Sequence, residues 1–506
     1  MSSNNQTNYL FVLVAASAVG KSVLINKMFE EGLWEKASKY STRDNRGKDD
    51  DVSKIDELSI KDAKDNEQKI AIRLARMKKL ISLCGSGNGK VYYKNGNIYG
   101  ISITEIVEGL KNSHLSVIIS DFKVINELKK DNRLIGRIKV MYLASTIDER
   151  ELLKRYKERE ITQFPDANKT VKTISSIQNM SSILLSAGRL KYLTKIEETL
   201  PLLNEEWNQY VPYFDTIKTR ATNIRMLYNR YIDNIALVDY VILNFYDLDY
   251  MFKQARNILN NIQNVRKISS PPIFMVCAAI SSGKATLMEV VGDIGAVHEN
   301  IVITTKYAMR DMRPTDGRDG MIAIGKNGSF KDAMKKELKV ELDENDIWNW
   351  GFKQRPTKYA VCHREIKSNL NKNKAQIFIS NMDQIDTARK FYENNIIVLY
   401  LHATHETETK KHIEAKRRFE LIEEMKKQNQ ELSSESTILE FENNRILQDK
   451  FNTLIANDQQ EIIDVHNDYC KHNIKIDHVL LNTGTREDLI EQISNLILYY
   501  SNQNEN

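Results

Sequence analysis

Glycine and proline are scarce in this 506-residue chain, at 20 and 7 residues, where typical usage is about 7% and 5%. The shortage implies long helices and few tight turns, and it makes any glycine in a polar loop informative. Cysteine is rarer still: Cys84, Cys277, Cys362 and Cys470 lie far apart with no CxxC pair. That spacing suggests neither a zinc site nor a disulfide framework, so a reducing, cytoplasmic setting is expected. No apolar run reaches the ~20 residues that span a bilayer. The nearest, Tyr9 to Gly20, follows a segment without Lys or Arg and leads into Gly20-Lys21-Ser22. It reads as a buried strand and not as a signal peptide, and no membrane partner is expected. Charge of one sign is missing too. The 73 basic and 68 acidic residues leave a net charge of +5, a near balance that neither calls for nor excludes nucleic acid. What is present is 41% hydrophobic, 28% charged and 8% aromatic, a globular composition with room for about two to four domains.

The main organising feature is a repeat. At an offset of 263 positions, which sets Lys21 on Lys284, the pairs Phe11/Phe274, Ala15/Ala278, Ala16/Ala279, Gly20/Gly283 and Leu24/Leu287 are identical. Further landmarks follow in the same order. Arg43-x-x-Arg46 is echoed by Arg310-x-x-Arg313, Tyr99-Gly100 by Tyr359-Ala360, YLAST at 142–146 by YLHAT at 400–404, and VDYVILN at 238–244 by IDHVLLN at 476–482. The chain therefore divides into halves of about 9–265 and 272–500, joined at KISSPP, where Pro271-Pro272 cannot continue a helix. In each half short β-type runs (LFVLVA, HLSVIIS, RIKVMYLA, DYVILN; IFMVCAA, AQIFIS, IIVLYLHA, DHVLLN) alternate with helical ones. That is the pattern of βαβ units around a parallel sheet: an α/β fold. The stretches 148–235 and 405–470 are long, charged and helical in pattern, and read as enlarged helical insertions that would offer surfaces to a partner or a second copy.

The chemistry starts at residues 15–22. Ala15-Ala16-Ser17-Ala18-Val19-Gly20-Lys21-Ser22 follows an expected strand and opens a helix, the context of a phosphate-binding P-loop. Backbone N–H groups from Ala18 to Lys21 would face the phosphates, Lys21 would reach the β- and γ-phosphates of ATP, and the Ser22 hydroxyl would hold Mg²⁺. Ala15 stands where the motif has its first glycine, so strain or a wider loop is expected there. The second loop keeps Ser282, Gly283 and Lys284 for phosphate but has Ala285 at the metal-ligand position, and a methyl cannot coordinate a cation. Thr286 lies ~100° further round the helix.

Arg43 with Arg46, and Arg310 with Arg313, offer forked donors suited to a second phosphate in a polar loop. The bland alternative is a solvated basic turn, and recurrence in both halves favours the phosphate. Tyr99 and Tyr359 read either as strand-edge aromatics or as hydroxyls donating to that same phosphate.

Taken together, ASAVGKS, STRDNR, NGNIYGIS, the strand ending Ser120-Asp121 and the DERELLKRYKER helix resemble the guanylate kinase family, with its P-loop, TTRxxRxGE segment, NYYG segment, VLLDID strand and Arg-bearing lid. The second half, through YAMRDMRPTDGRDG, IWNWGFKQRPTKYAV and FISNMDQIDTARK, resembles the same superfamily and leans toward ribose bisphosphate phosphokinase. The resemblance covers the core strands of both halves and not the helical insertions. It implies two tandem P-loop kinase domains in which Lys21 and Ser22 serve ATP and Mg²⁺. Arg43, Arg46, Tyr99 and Ser102 would hold an acceptor monophosphate, Asp121 would lie near the acceptor base or the metal, and Arg155 and Arg159 would neutralise the transferring phosphoryl group. In the second half it implies Arg310, Arg313, Asp316, Asp319 and Tyr359 at the acceptor, with Arg417, Arg418 and Arg445 as lid cations. There are departures: Ile101 replaces a small hydroxyl residue, and RGKDDDV lacks a GExDGxxY run. The expected activity is transfer of the ATP γ-phosphate to a nucleoside monophosphate or similar phosphorylated small molecule, with the first half catalytic and the second degenerate. The alternative is a non-catalytic nucleotide-sensing or interaction scaffold.

Overall fold

The computed structural model describes residues 7–15, 19–42, 66–85, 87–94, 97–145, 226–244, 247–262, 268–269, 271–298, 301–312, 320–352, 355–403, 406–428, 441–442, 444–482 and 485–502. Contacts divide the chain into two units, Met1–Asn260 and Asn261–Asn506.

Unit 1 begins with β1 (Leu10–Ala15), a near-continuous apolar run in which Leu10 to Val14 are fully buried. Such a run has both faces covered, as in a parallel sheet. Helix α1 (Lys21–Glu30) follows and buries Leu24, Ile25 and Met28 along one stripe. Then come β2 (Glu35–Lys36), β3 (Lys39–Ser41), α2 (Asn66–Cys84), β4 (Gly89–Lys94), β5 (Asn97–Ser102), α3 (Ile103–Gly109), β6 (Leu115–Ile118), α4 (Phe122–Lys129), β7 (Ile138–Ser145), β8 (Tyr240–Asn244) and α5 (Leu248–Asn260). Five strands pair in the order β2-β6-β1-β7-β8, all parallel. The order changes direction at β1, and the crevice at the carboxyl ends of strands beside such a switch is where open α/β sheets bind ligands. A small antiparallel sheet, β3-β5-β4, stands apart from this one.

Unit 2 runs β9 (Ile273–Ala278), α6 (Lys284–His298), β10 (Ile301–Ile303), β11 (Lys306–Ala308), β12 (Met321–Ala323), α7 (Phe330–Leu338), β13 (Ile347–Phe352), β14 (Arg355–Cys362), α8 (His363–Asn371), β15 (Ala375–Ser380), α9 (Ile385–Tyr392), β16 (Ile396–Ala403), α10 (Glu406–Gln428), α11 (Arg445–His472), β17 (His478–Asn482) and α12 (Arg486–Asn502). Its central sheet, β10-β15-β9-β16-β17, is again all parallel with the P-loop strand in the middle. The small sheet has the order β12-β11-β14-β13. Both units are thus mixed α/β with parallel sheets, an architecture that fits a P-loop-like fold.

The correspondence extends to individual bonds near the end of each unit. Asp239 Oδ2 accepts from Val140 N at 2.7 Å and Lys129 Nζ at 3.0 Å; Asp477 Oδ2 accepts from Val398 N at 2.7 Å and from the Arg389 guanidinium at 3.4 Å. Gln254 holds both backbone groups of Leu243, and Gln492 both of Leu481. The Tyr142 and Tyr231 rings lie 4.2 Å apart, and those of Tyr400 and Tyr469 4.5 Å. All four of the later partners sit 238 positions beyond their first-unit equivalents, without a gap.

Of the expected insertion at 148–235, residues 148–225 lie outside the described residues. The one at 405–470 holds α10 and α11; Leu447, Phe451 and Leu454 of α11 pack against Phe441 and the α10 residues Leu421, Ile422 and Met425. No helix among the described residues is long and apolar enough to cross a membrane.

Candidate functional site

Both P-loops leave the carboxyl end of the middle strand. Ala15, expected to strain or widen its loop, is instead the last residue of a regular strand, paired with Leu143, and Ala278 is placed alike, paired with Leu401. An extended position accepts a Cβ, so the lost glycine has no effect on the backbone there. The glycines that remain are the ones the geometry requires. Gly20 has φ 97° and Gly283 φ 100°, a left-handed conformation that disfavours any L side chain. Gly20 is the N-cap of α1, without a side-chain cap and without an acidic residue in the first turn. The first N–H groups of that helix therefore face outward, where an anion would complete them. Ser281, just before Ser282-Gly283, is also left-handed at φ 55°, so the second loop carries backbone strain in a non-glycine residue as well.

An asparagine from the last strand of each sheet secures each loop. Asn244 Nδ2 donates to Val19 O at 3.0 Å, and Asn482 Nδ2 to Ser282 O at 2.8 Å. Lys21 Nζ folds back to Ala15 O at 3.2 Å; Lys284 Nζ does the same to Ala278 O at 3.1 Å and Ala279 O at 2.6 Å. Each ammonium thus lies over the loop it would bridge to a phosphate. The Ser282 hydroxyl turns inward to Ala279 O at 2.8 Å, which leaves its backbone N–H as the group for a ligand. Ser22 is exposed in the first turn of α1, and Ala285 and Thr286 are exposed in α6. A single hydroxyl beside phosphates suits Mg²⁺, which keeps several waters and needs few protein ligands. Among the described residues no group of three or more His, Cys, Asp or Glu could hold a metal by itself.

The tyrosines expected at the acceptor fall on the small sheets. Tyr99 lies on β5 opposite Ser41, and Tyr359 on β14 opposite Ala308. Each ring is sandwiched across its sheet. Tyr92 stacks on Tyr99 at 5.4 Å and Trp350 on Tyr359 at 6.4 Å, while Lys39 Nζ and Lys306 Nζ approach the same rings at 5.3 and 5.4 Å. Such packing holds each tyrosine in one rotamer and so aims its hydroxyl. Arg310 is 7% exposed, with its guanidinium donating to Asp311 O at 2.9 Å and Met321 Sδ at 3.0 Å.

Ser102 is a helix cap: its Oγ accepts from Glu105 N at 3.3 Å and the residue is buried. Asp121 caps α4, with Oδ1 accepting from Lys123 N and Val124 N, and it stands just past β6 at the sheet's carboxyl edge. The second-unit equivalent is Asn381, which donates to Gly351 O at 3.1 Å instead of capping a helix. Arg417, expected as a lid cation, is a correction. Its guanidinium is held by Asp458 at 2.5 and 2.7 Å and by Glu420 at 2.6 Å, and those carboxylates keep its pKa raised. It ties α10 to α11 and is not presented to a ligand. Arg418 pairs with Glu442, and Arg445 is the exposed first residue of α11. Ala18, Arg43, Arg46, Arg155, Arg159, Arg313, Asp316 and Asp319 lie outside the described residues.

Sequence reasoning passed over Lys39, Lys306, Tyr92, Trp350, Asn244 and Asn482. The signal for the lysines was present: a Lys-Tyr pair precedes each first arginine, in KYSTR at 39–43 and KYAMR at 306–310.

No protein-family model matches the chain, and no curated protein matches it. Among solved structures, the guanylate kinase from Anaplasma phagocytophilum is similar at 12% identity and a TM-score of 0.25, over 46% of this chain and 87% of that one. The likeness is a weak one, confined to structure.

Proposed function

We propose that the chain is a nucleotide kinase built from two tandem guanylate kinase-like units, with unit 1 the catalytic half and unit 2 degenerate. The observation that carries this reading is the loop geometry. A left-handed glycine opens an uncapped helix after the middle strand, and a loop lysine is folded across it at the sheet's switch point. ATP with Mg²⁺ would supply the transferable phosphoryl group. Lys21 and the amides at Val19 and Gly20 would bind its phosphates, and Ser22 would contribute one metal ligand. Arg43, Arg46 and Tyr99 would hold a nucleoside monophosphate or similar acceptor, with Arg155 and Arg159 as lid cations. The work of these residues is positioning and charge neutralisation, which phosphoryl transfer needs more than covalent chemistry. A cytoplasmic setting belongs to the same reading. The test is ADP release from ATP with a panel of monophosphates, with and without Mg²⁺; no turnover of any acceptor would overturn it.

A second reading, a non-catalytic nucleotide sensor or interaction scaffold, is favoured by unit 2. There Ala285 removes the metal-binding hydroxyl, and Asn381 stands where unit 1 has the Asp121 carboxylate. Tight nucleotide binding without ADP formation would select it.

A further inference from the structure

The small sheet of each unit ends in an outer strand, β4 in unit 1 and β13 in unit 2, and what joins that strand to the central layer differs between the two. The register identifies the corresponding positions. Lys90 of β4 lies opposite Ile101, two residues after Tyr99, and Trp348 of β13 lies opposite Val361, two residues after Tyr359. Lys90 Nζ reaches Glu127 Oε2 of α4 at 3.6 Å, with side chains 32% and 46% exposed. Just before β4, Gly87 O accepts from the exposed Arg133 guanidinium at 2.8 Å. Water competes for such contacts, and salt screens the ion pair. The opposite strand of that sheet, β3, is held to β6 through Lys39 Nζ and Ile118 O at 2.9 Å, so the loosely held edge of unit 1 is that of β4.

In unit 2 the same position is a buried indole. Trp348 is 3% exposed, and its Nε1–H donates to Gln384 Oε1, just ahead of α9, at 3.1 Å. Its ring meets Phe378 of β15 edge-on at 5.5 Å and 82°, and Phe391 and Tyr392 of α9 at 6.0 and 6.5 Å. Phe378 is a central-sheet residue, in register with Met275 of the P-loop strand. His363, which opens α8, lies nearly parallel to the indole at 6.2 Å and is hydrogen-bonded to the Tyr392 hydroxyl. Two residues along β13, Trp350 also packs on Phe378, at 6.4 Å, and Gly351 O accepts from Asn381 Nδ2 at 3.1 Å. Edge-to-face ring pairs add to the apolar area that a tryptophan buries, and neither contribution is screened by salt. A strand fastened at 348, 350 and 351 to β15 and its flanking segments parts from the central sheet only by exposing the whole cluster.

We propose that Trp348 is a clamp that makes the small and central sheets of unit 2 one cooperative body, whereas in unit 1 the β4 edge opens and recloses independently of the sheet behind it. The clamp needs no ligand, so it stands or falls separately from the kinase reading.

The experiment is native-state hydrogen exchange of the full-length protein, read by mass spectrometry on peptides from β13–β14 and β15 in unit 2 and from β4–β5 and β6 in unit 1. In the wild type the β13–β14 amides open together with those of β15, to within about threefold, while those of β4–β5 open at least about tenfold more often than those of β6. Raising sodium chloride from about 0.05 M to about 0.5 M speeds β4–β5 and leaves β13–β14 unchanged. Trp348→Leu separates the sheets of unit 2: β13–β14 exchange rises roughly 10–100-fold, a fraction of the effect of truncating a buried aromatic to alanine, and β15 stays within about threefold of wild type. Gln384→Ala, which keeps the ring and removes one hydrogen bond, raises β13–β14 exchange about fivefold. A tryptophan that only fills the core would speed β13–β14 and β15 alike, which overturns the proposal. So do β13–β14 amides that already open apart from β15 in the wild type, or β4–β5 amides as slow as those of β6; neither comparison needs a variant to fold.

Discussion

In unit 1 the Tyr40 hydroxyl donates to both oxygens of the Glu105 carboxylate at 2.9 Å, tying β3 to α3. Burial and that carboxylate push the Tyr40 pKa up to about 12. In unit 2 the equivalent Tyr307 hydroxyl and Glu365 Oε2 are both buried without a hydrogen-bond partner, while Glu365 Oε1 takes the Thr305 N–H at 3.0 Å. Elsewhere the units agree down to single bonds: the aspartate under the strand entering the sheet's far side, the glutamine on the last strand, the asparagine on the P-loop. The residues that build the sheet and brace the loop are repeated. The residues that would touch metal or base are not. A fold and its chemistry can therefore diverge separately within one chain, because the first depends on backbone satisfaction and the second on a few exposed atoms.

The comparison can be broken most directly at the two loop lysines. Lys21→Ala should lower ADP formation by about 10²–10³, the scale for removing one charge-stabilising donor, while Lys284→Ala should change it less than about threefold. Equal losses would mean that the halves are catalytically alike. Next in size are the left-handed glycines. Gly20→Ala and Gly283→Ala should each lose about 1–2 kcal/mol of stability from backbone strain alone. Gly283→Ala should lose more, because its Cβ would meet Asn482 Nδ2 at 2.3 Å whereas the Gly20 Cβ has 3.6 Å. Urea unfolding midpoints of the two variants check the order.

A pH measurement separates the units further. His402 in unit 2 is buried, and its pKa is pushed down to about 3, first by burial and then by the neighbouring His466. The equivalent residue in unit 1 is Ala144. An unfolded histidine titrates near 6.5, so between there and pH 3 the unfolded chain takes up a proton that the folded unit refuses. Stability that is complete above pH 6.5 is thus lost as pH falls, by about 1.4 kcal/mol per pH unit. His402→Leu should flatten that slope in urea titrations from pH 7 to 5, and an unchanged slope would assign it to other groups. The smallest effect is expected from Ala285→Ser, which returns a hydroxyl to the exposed first turn of α6. Mg²⁺-dependent ATP affinity should rise a few-fold by filter binding, or not at all if unit 2 has lost more than its metal ligand.

Much of the architecture was legible because its signals are local. Apolar runs with both faces hidden, such as LFVLVA and IFMVCA, identify the central strands, and GK after such a run identifies the loop. The tyrosines and arginines were found because they recur. What escaped were side chains whose partners are distant in sequence. Asn244 is an ordinary strand-end residue until it is seen on Val19 O, and Arg417 looked like a lid cation because Asp458 is 41 residues away. The expected penalty at Ala15 failed for the opposite reason. The motif counts a glycine there, but the backbone at that position is plain strand, and only the φ of Gly20 and Gly283 shows which glycine the turn requires.

The asparagine brace has a consequence for how the chain is made. Val19 emerges from the ribosome early, yet the side chain that closes on its carbonyl follows 225 residues later. At about 5–20 residues per second the nascent loop waits roughly ten to forty-five seconds for its brace, and the loop of unit 2 waits nearly as long for Asn482, 200 residues beyond Ser282. Until β8 is released, unit 1 has a P-loop sequence without a finished P-loop. A nascent chain stalled anywhere before residue 244 should leave that loop unbraced, so synthesis itself orders the two units: the first can be complete while the second is still a string of strands without their final partner.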